Sequence, residues 1–164
     1  MHPASLPIAA LLQKVRELHS RRSGPGGQHR NKVQTAVVLL HEPTGVSAEA
    51  SERRSQADNR RVALQRLRLR LALDHRAPSP PGPSRLWLSR IRGKQLAVAA
   101  SHPDYPTLLA EALDQLQRHG FVMPPAAEHM GTTATQLLKL FKKSPEAWTA
   151  LNRLRTGAGL AVLR

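Results

Sequence analysis

The sequence predicts an α+β chain in two parts: a small sheet with a β-hairpin and a packed long helix, then a small all-α segment of helix-turn-helix type. Three observations predict it. The apolar stretches VVLL (37–40) and VSAEA (46–50) flank Glu42-Pro43-Thr44-Gly45, a turn in which Pro presets one φ and Gly is free to adopt a positive one. Ala63, Leu64, Leu67 and Leu71 form a helical stripe inside 54–75. After the helix-breaking stretch APSPPGPS (77–84), apolar positions again recur at helical spacing.

Taken in order, residues 5–13 read as a short helix with Leu6, Ile8, Ala9, Leu11 and Leu12 as its apolar positions. VRELHSRR (15–22) alternates loosely, as a strand does. SGPGGQ (23–28) suits no regular element, and a short polar helix is expected at 30–36. The hairpin follows, then the long helix at 54–75, whose apolar stripe can pack on the sheet. Residues 1–76 are thus the first domain, 77–94 a Pro-rich linker and 95–164 a helical domain. In the last of these a helix is expected over 106–119, with Pro106 in its first turn. Residues 126–143 have a helix-turn-helix pattern: Ala127 and Gly131 are spaced for a tight inter-helix turn, and Ala126, Met130, Leu137 and Leu140 fall at burying positions. A final helix at 145–155 has Ser144 as cap and Pro145 at its first position.

Composition narrows the classes of function. The chain has no cysteine, which excludes disulfides, thiolate metal sites and cysteine nucleophiles. Aromatics are 3% of residues, so the core must rest on Leu, Val and Ala. The formal net charge is +14, which expects a polyanionic partner, usually nucleic acid. Residues 1–94 hold 18 Lys+Arg against 6 Asp+Glu, and residues 95–164 hold 7 against 5, so the partner-binding face is placed in the first part. No apolar run approaches the ~20 residues of a membrane span, and residues 6–12 lack the basic flank of a signal peptide. A cytoplasmic monomer without a membrane partner is expected. His19, His29, His41, His75, His102, His119 and His129 show no metal-ligand spacing. Neither a metal nor an organic cofactor is expected.

The chemistry concentrates at Gly24-Pro25-Gly26-Gly27-Gln28. Three glycines in four positions leave almost no side-chain surface and let backbone approach a ligand closely. The stretch is not a Walker A loop, which ends in Gly-Lys-Ser/Thr, and it lacks the third glycine of GxGxxG.

The stretch SRRSGPGGQHRNKVQTAVVLLHEPTG, followed by ERRSQADNRRVAL, resembles the catalytic domain of class I bacterial and organellar peptide chain release factors. The family pattern SG(A/P)GGQHxNK runs from Ser23 to Lys32 with Arg30 at the variable position, and Pro43-Thr44-Gly45 and Arg54-Ser55-Gln56 with Asn59 also match. The resemblance covers about residues 15–73. It implies a loop that enters the peptidyl transferase centre of the ribosome and hydrolyses the ester of P-site peptidyl-tRNA. Gly26 and Gly27 would give the loop its conformation. Gln28 would place water: its backbone N–H would stabilise the developing oxyanion, a contribution worth ~2.7–4 kcal/mol for a fixed donor, and its side chain would exclude larger nucleophiles. The same resemblance makes Gln28 a candidate for N5-methylation, with a glutamine methyltransferase as a further partner.

Arg21, Arg22, Arg30, Lys32, Arg53, Arg54, Arg60 and Arg61 are then candidate contacts to large-subunit rRNA phosphates. Ser23, Gly24, His29, Asn31, Gln56 and Asn59 complete the candidate RNA-binding set, with Asn31 placed to cap or brace a following helix. Full-length release factors are roughly twice as long and carry a stop-codon-reading domain, so codon-independent release, as in rescue of stalled ribosomes, is expected. The basic unstructured tail of small rescue relatives has no counterpart in the apolar-periodic residues 95–164. Two alternatives stand beside this reading. One is a non-catalytic rRNA-binding or ribosome-assembly protein with a release-factor fold. The other is a helix-turn-helix nucleic-acid-binding regulator acting through Thr133, Thr135, Gln136 and Lys139, with Lys142 and Lys143 on phosphate.

Overall fold

A computed structural model of the chain describes residues 1–20, 36–78 and 81–164. They fall into two compact units, Leu6–Leu71 on one side and Met1–Ser5 with Ala72–Arg164 on the other.

The first unit opens with helix α1 (Ile8–Leu12), held by buried Leu11. Strands β1 (Val15–Ser20), β2 (Ala36–His41) and β3 (Val46–Ala50) form an antiparallel sheet in the order β1-β2-β3. The β2–β3 turn closes as its residues dictate. Gly45 takes φ +70, which an L side chain would resist. Its N–H donates to the His41 carbonyl at 2.9 Å, while Thr44 Oγ1 meets His41 Nδ1 at 2.8 Å.

Register decides which face is covered. Val37 lies opposite both His19 and Ala50, and Leu39 opposite both Glu17 and Ala48, so these residues share one face. Helix α2 (Gln56–Asp74) lies on that face, because Arg60 reaches Glu17 and Gln56 reaches His19. Its Ala63, Leu67 and Leu71, four residues apart, are fully buried. Each leucine buried in this way contributes about 1.5–3 kcal/mol. The helix expected at 54–75 and the hairpin expected at 37–50 are therefore present, and the fold is α+β with the long helix on the sheet. The polar helix expected at 30–36 lies outside the described residues except for Ala36, which is the first residue of β2.

The second unit contains helices α3 (Arg85–Arg90), α4 (Tyr105–Arg118), α5 (Met123–His129), α6 (Ala134–Lys142) and α7 (Pro145–Gly157), with a two-stranded hairpin of β4 (Ile91–Arg92) and β5 (Gln95–Leu96). Its core centres on Trp87, Tyr105, Leu113, Met130, Leu137 and Phe141, all essentially without solvent contact. Polar atoms on the large side chains find partners inside it. Trp87 Nε1 donates to the Met130 carbonyl at 2.9 Å, and Tyr105 Oη to the Leu140 carbonyl at 2.9 Å. Ser84, Thr133 and Ser144 cap α3, α6 and α7 by accepting from Trp87, Gln136 and Ala147 N–H groups. Gly131 turns the chain between α5 and α6 at φ +67, as the helix-turn-helix reading requires.

Residues 85–94 differ from the linker that composition suggested. Ser84 caps a helix there and Trp87 pulls it into the core, so Pro-rich composition describes only the stretch ahead of it. The hairpin β4–β5 was not anticipated either, since its strands are too short to show alternation. Near the start of the unit, Arg76 and Asp114 form a part-buried pair at 3.0 Å, and the Ala77 N–H donates to the same carboxylate oxygen. Burial pushes Asp114 up to about 6, although Arg76 pulls the other way. Among the described residues, no helix is long and apolar enough to cross a membrane.

Candidate functional site

The strands that bracket residues 21–35 are paired to their ends, with Ser20 opposite Ala36. The glycine-rich motif thus joins two neighbouring strands at one end of the sheet. Gly26, Gly27 and Gln28 lie outside the described residues, as do Arg21, Arg22, Ser23, Gly24, His29, Arg30, Asn31 and Lys32. What the fold positions is a platform at the sheet end where β1 stops and β2 starts.

That platform is the first half of α2 and the loop leading into it. Ser55 starts the helix: its Oγ accepts from the Asp58 N–H at 3.3 Å and its carbonyl from the Asn59 N–H at 3.0 Å. A serine three residues ahead of an acidic residue is a strong helix-start signal. Asp58 in the first turn also suits the helix dipole. One residue from the cap, Gln56 Nε2 donates to His19 Nδ1 at 2.8 Å. One turn on, Arg60 Nε donates to Glu17 Oε2 at 2.7 Å. Both bonds land near the end of β1, so Gln56 and Arg60 are fixed at the sheet end where residues 21–35 begin.

Arg53 and Arg54 are exposed in the preceding loop. Arg53 is held through its backbone. Asn59 Oδ1 accepts from the Arg53 N–H at 2.8 Å, and Asn59 Nδ2 donates to the Arg53 carbonyl at 2.9 Å. Asn59 is 0% exposed. Its side chain is committed to the loop, and this corrects the RNA contact expected of it. Arg61 is exposed and meets Asp58 at 3.2 Å, a pair too solvated to be worth more than a few tenths of a kcal/mol. Arg61 therefore stays available to a polyanion.

Sequence reasoning missed three members of the platform. Glu17 and His19 anchor α2 to β1, and Glu52 takes a two-pronged ion pair from Arg66, at 2.7 and 3.2 Å. Backbone donors in its own loop, at Glu52 and Ser51, and the Arg66 guanidinium hold the Glu52 carboxyl below its ordinary value. The strand alternation at 15–20 could have pointed to Glu17, since it puts Glu17 and His19 on one face. Nothing local marks the Arg66–Glu52 pair. Among the described residues, no group of three or more His, Asp or Glu side chains could hold a metal ion.

Residues 8–85 match the RF-1 domain. A peptide chain release factor 2 of Acidovorax sp. (strain JS42) is 57% identical over 51 residues, which is 31% of this chain and 14% of that protein. The mitochondrial peptide chain release factor 1-like protein of Mus musculus is 47% identical over 73 residues, 44% of this chain and 20% of the relative. A peptide chain release factor 1 of Acidiphilium cryptum (strain JF-5) is 47% identical over 62 residues, 38% of this chain and 18% of the relative. Over these residues, a little under half of its length, the chain is similar to peptide chain release factors. It spans no more than about a fifth of the length of these relatives.

Proposed function

We propose that this chain hydrolyses peptidyl-tRNA on the ribosome without reading a codon. The observation that carries the proposal is the run Ser23–Lys32, with Gly26, Gly27 and Gln28 at its centre, inside the matched residues 8–85 and between paired strands. A loop rooted at both ends in one sheet can project a backbone tip while its base stays fixed. Water attacks the ester carbonyl carbon that joins the peptide to the terminal ribose. The carbon–oxygen bond to the ribose breaks, the ribose hydroxyl recovers a proton, and the peptide leaves as a carboxylic acid. Gln28 supplies an N–H toward the oxygen that becomes negative, and its side chain limits what can attack. Such catalysis needs position and a fixed dipole and no titrating side chain.

The partners in this reading are large-subunit rRNA and the P-site tRNA. Arg53, Arg54, Arg60 and Arg61 serve as phosphate contacts that set register without reading sequence. N5-methylation of Gln28 by a glutamine methyltransferase is part of the proposal, as are a monomeric state and action in the cytoplasm. Codon independence is part of the proposal, and release from ribosomes that hold no stop codon tests it.

The test uses purified ribosomes carrying labelled peptidyl-tRNA in the P site. Gln28→Ala and Gly27→Ala are expected to lower release by at least 100-fold while ribosome binding persists. Release by both variants at the wild-type rate would remove the proposal.

A further inference from the structure

The helical unit is more basic than a division of the chain at residue 95 suggests. Met1–Ser5 with Ala72–Arg164 holds 12 Lys+Arg and 6 Asp+Glu, a net charge of +6. Much of its acid is already engaged: Asp104 meets Arg90, Asp114 meets Arg76 and Asp74 meets Arg153.

Two structural features carry positive charge and are tied to each other; in them Lys142 also donates to the Arg164 carbonyl at 3.2 Å and lies 4.9 Å over the Trp148 ring, and Arg92 donates to the Ser89 and Ile91 carbonyls. Helix α6 buries Leu137, Leu140 and Phe141 and exposes Thr135, Lys139 and Lys142, an i, i+4, i+7 stripe on its outer face. The β4–β5 hairpin presents Arg92 and Lys94 at its exposed tip. It is docked against the helix-turn-helix at two points. Thr132 Oγ1 donates to the Lys94 carbonyl at 2.7 Å, and the Leu96 N–H donates to Gln136 Oε1 at 3.4 Å. Between the hairpin tip and the α5–α6 turn lies an open notch of about 340 Å³ that Lys94, Thr132 and Thr133 help to line. Glu128 is the one carboxylate on its wall. The arrangement is a helix-turn-helix flanked by a short basic wing.

The side chains available choose the kind of partner. Reading base edges in a DNA major groove relies mainly on paired contacts from Arg, Lys, Asn or Gln. The outer stripe of α6 offers a threonine and two lysines, and its one glutamine is engaged by the hairpin backbone. Such a surface, with its lysines on two elements and no free amide, binds phosphate by charge. Double-helical RNA is recognised in this way, by shape and backbone, because its deep, narrow groove closes the bases to a helix.

We propose that the α6 stripe and the β4–β5 tip form a second binding surface, for the phosphate backbone of an RNA duplex, separate from the RF-1 domain. The choice of RNA over DNA rests in part on the ribosomal reading of that domain. The surface would straddle backbone with Lys139 and Lys142 on one element and Arg92 and Lys94 on the other. It would give the chain a second hold on structured RNA.

The test uses the full chain, a fluorescently labelled 20-base-pair RNA duplex of arbitrary sequence and the matching DNA duplex, with anisotropy read across a salt series. Lys94→Glu/Lys139→Glu is expected to weaken RNA-duplex binding at least tenfold and to reduce the slope of log affinity against log salt by about 2, near 0.9 per lost phosphate contact. Arg85→Glu/Arg153→Glu, with the same change in net charge on α3 and α7, is expected to weaken it less than threefold. Circular dichroism confirms that each variant is folded. Equal losses in the two folded variants would overturn the proposal, as would tighter binding of DNA than of RNA. No ribosome is present, so the outcome is independent of whether Gln28 supports peptide release.

Discussion

Replacing Asn59 by alanine tests whether the loop that carries Arg53 and Arg54 is held from inside the fold. Asn59 is fully buried and its amide group spends a donor and an acceptor on one residue, the Arg53 carbonyl at 2.9 Å and N–H at 2.8 Å. Each bond is worth about 0.5–1.5 kcal/mol net, and truncation also leaves a small buried void. The expected loss is about 2–3 kcal/mol for the unit Leu6–Leu71. With a urea dependence of about 1–3 kcal/mol per molar, the midpoint of its transition should fall by roughly 1–2 M, read by circular dichroism. Asn59→Asp keeps the acceptor for the Arg53 N–H but loses the donor and buries a charge, so it should be no better than alanine. Both variants should release peptide more slowly even where they remain folded, because Arg53 and Arg54 lose their anchor. A midpoint within about 0.2 M of wild type for Asn59→Ala would mean that the Asn59 amide does not hold the Arg53 loop.

Three other outcomes follow from the helical unit. Gly131→Val should cost about 1–2 kcal/mol from the positive φ alone, since nothing within 4 Å would meet an added Cβ, and Gly131→Asn should cost less; thermal melts check both. Trp87→Phe should cost about 1–3 kcal/mol by leaving the buried Met130 carbonyl unpaired, measured by urea titration. Two groups set opposing pH dependences. Burial lowers His2 from 6.5 to about 4, consistent with Nδ1 accepting from the Ala4 N–H at 3.0 Å, so its contribution is full above pH 6.5 and is lost as pH falls toward 4. Burial raises Asp114 from 3.8 to about 6, so its contribution is full below pH 3.8 and is lost as pH rises through 6. Stability titrations should therefore show Asp114→Asn more acid-sensitive than wild type and His2→Gln less so.

The features legible in sequence were those set by local chemistry. Pro43 and Gly45 announce the hairpin turn, Ser144-Pro145 announces α7, and Gly131 announces the bend before α6. Each needs only the residue's own backbone preference. The α2 stripe was legible because a helix buries every third or fourth residue whatever it packs on. Contacts across the fold were not legible. Asn59 sits in a motif shared with release factors, and its polarity suggested RNA; only burial shows that it faces the Arg53 backbone. Arg60 and Arg66 look alike in sequence, yet Glu17 and Glu52 take one each, because partners 43 and 14 residues away are chosen by packing. The short wing hairpin was hidden because two-residue strands carry no alternation.

The proposed function requires that this chain cleave the ester of peptidyl-tRNA. The most direct measurement is single-turnover release of a labelled peptide from ribosomes with an empty A site and no stop codon, over a range of wild-type protein concentrations. The release rate is expected to rise with protein and then saturate, with free peptide acid and deacylated tRNA as the products. Intact peptidyl-tRNA at concentrations where the protein is fully ribosome-bound would rule out the proposed hydrolysis.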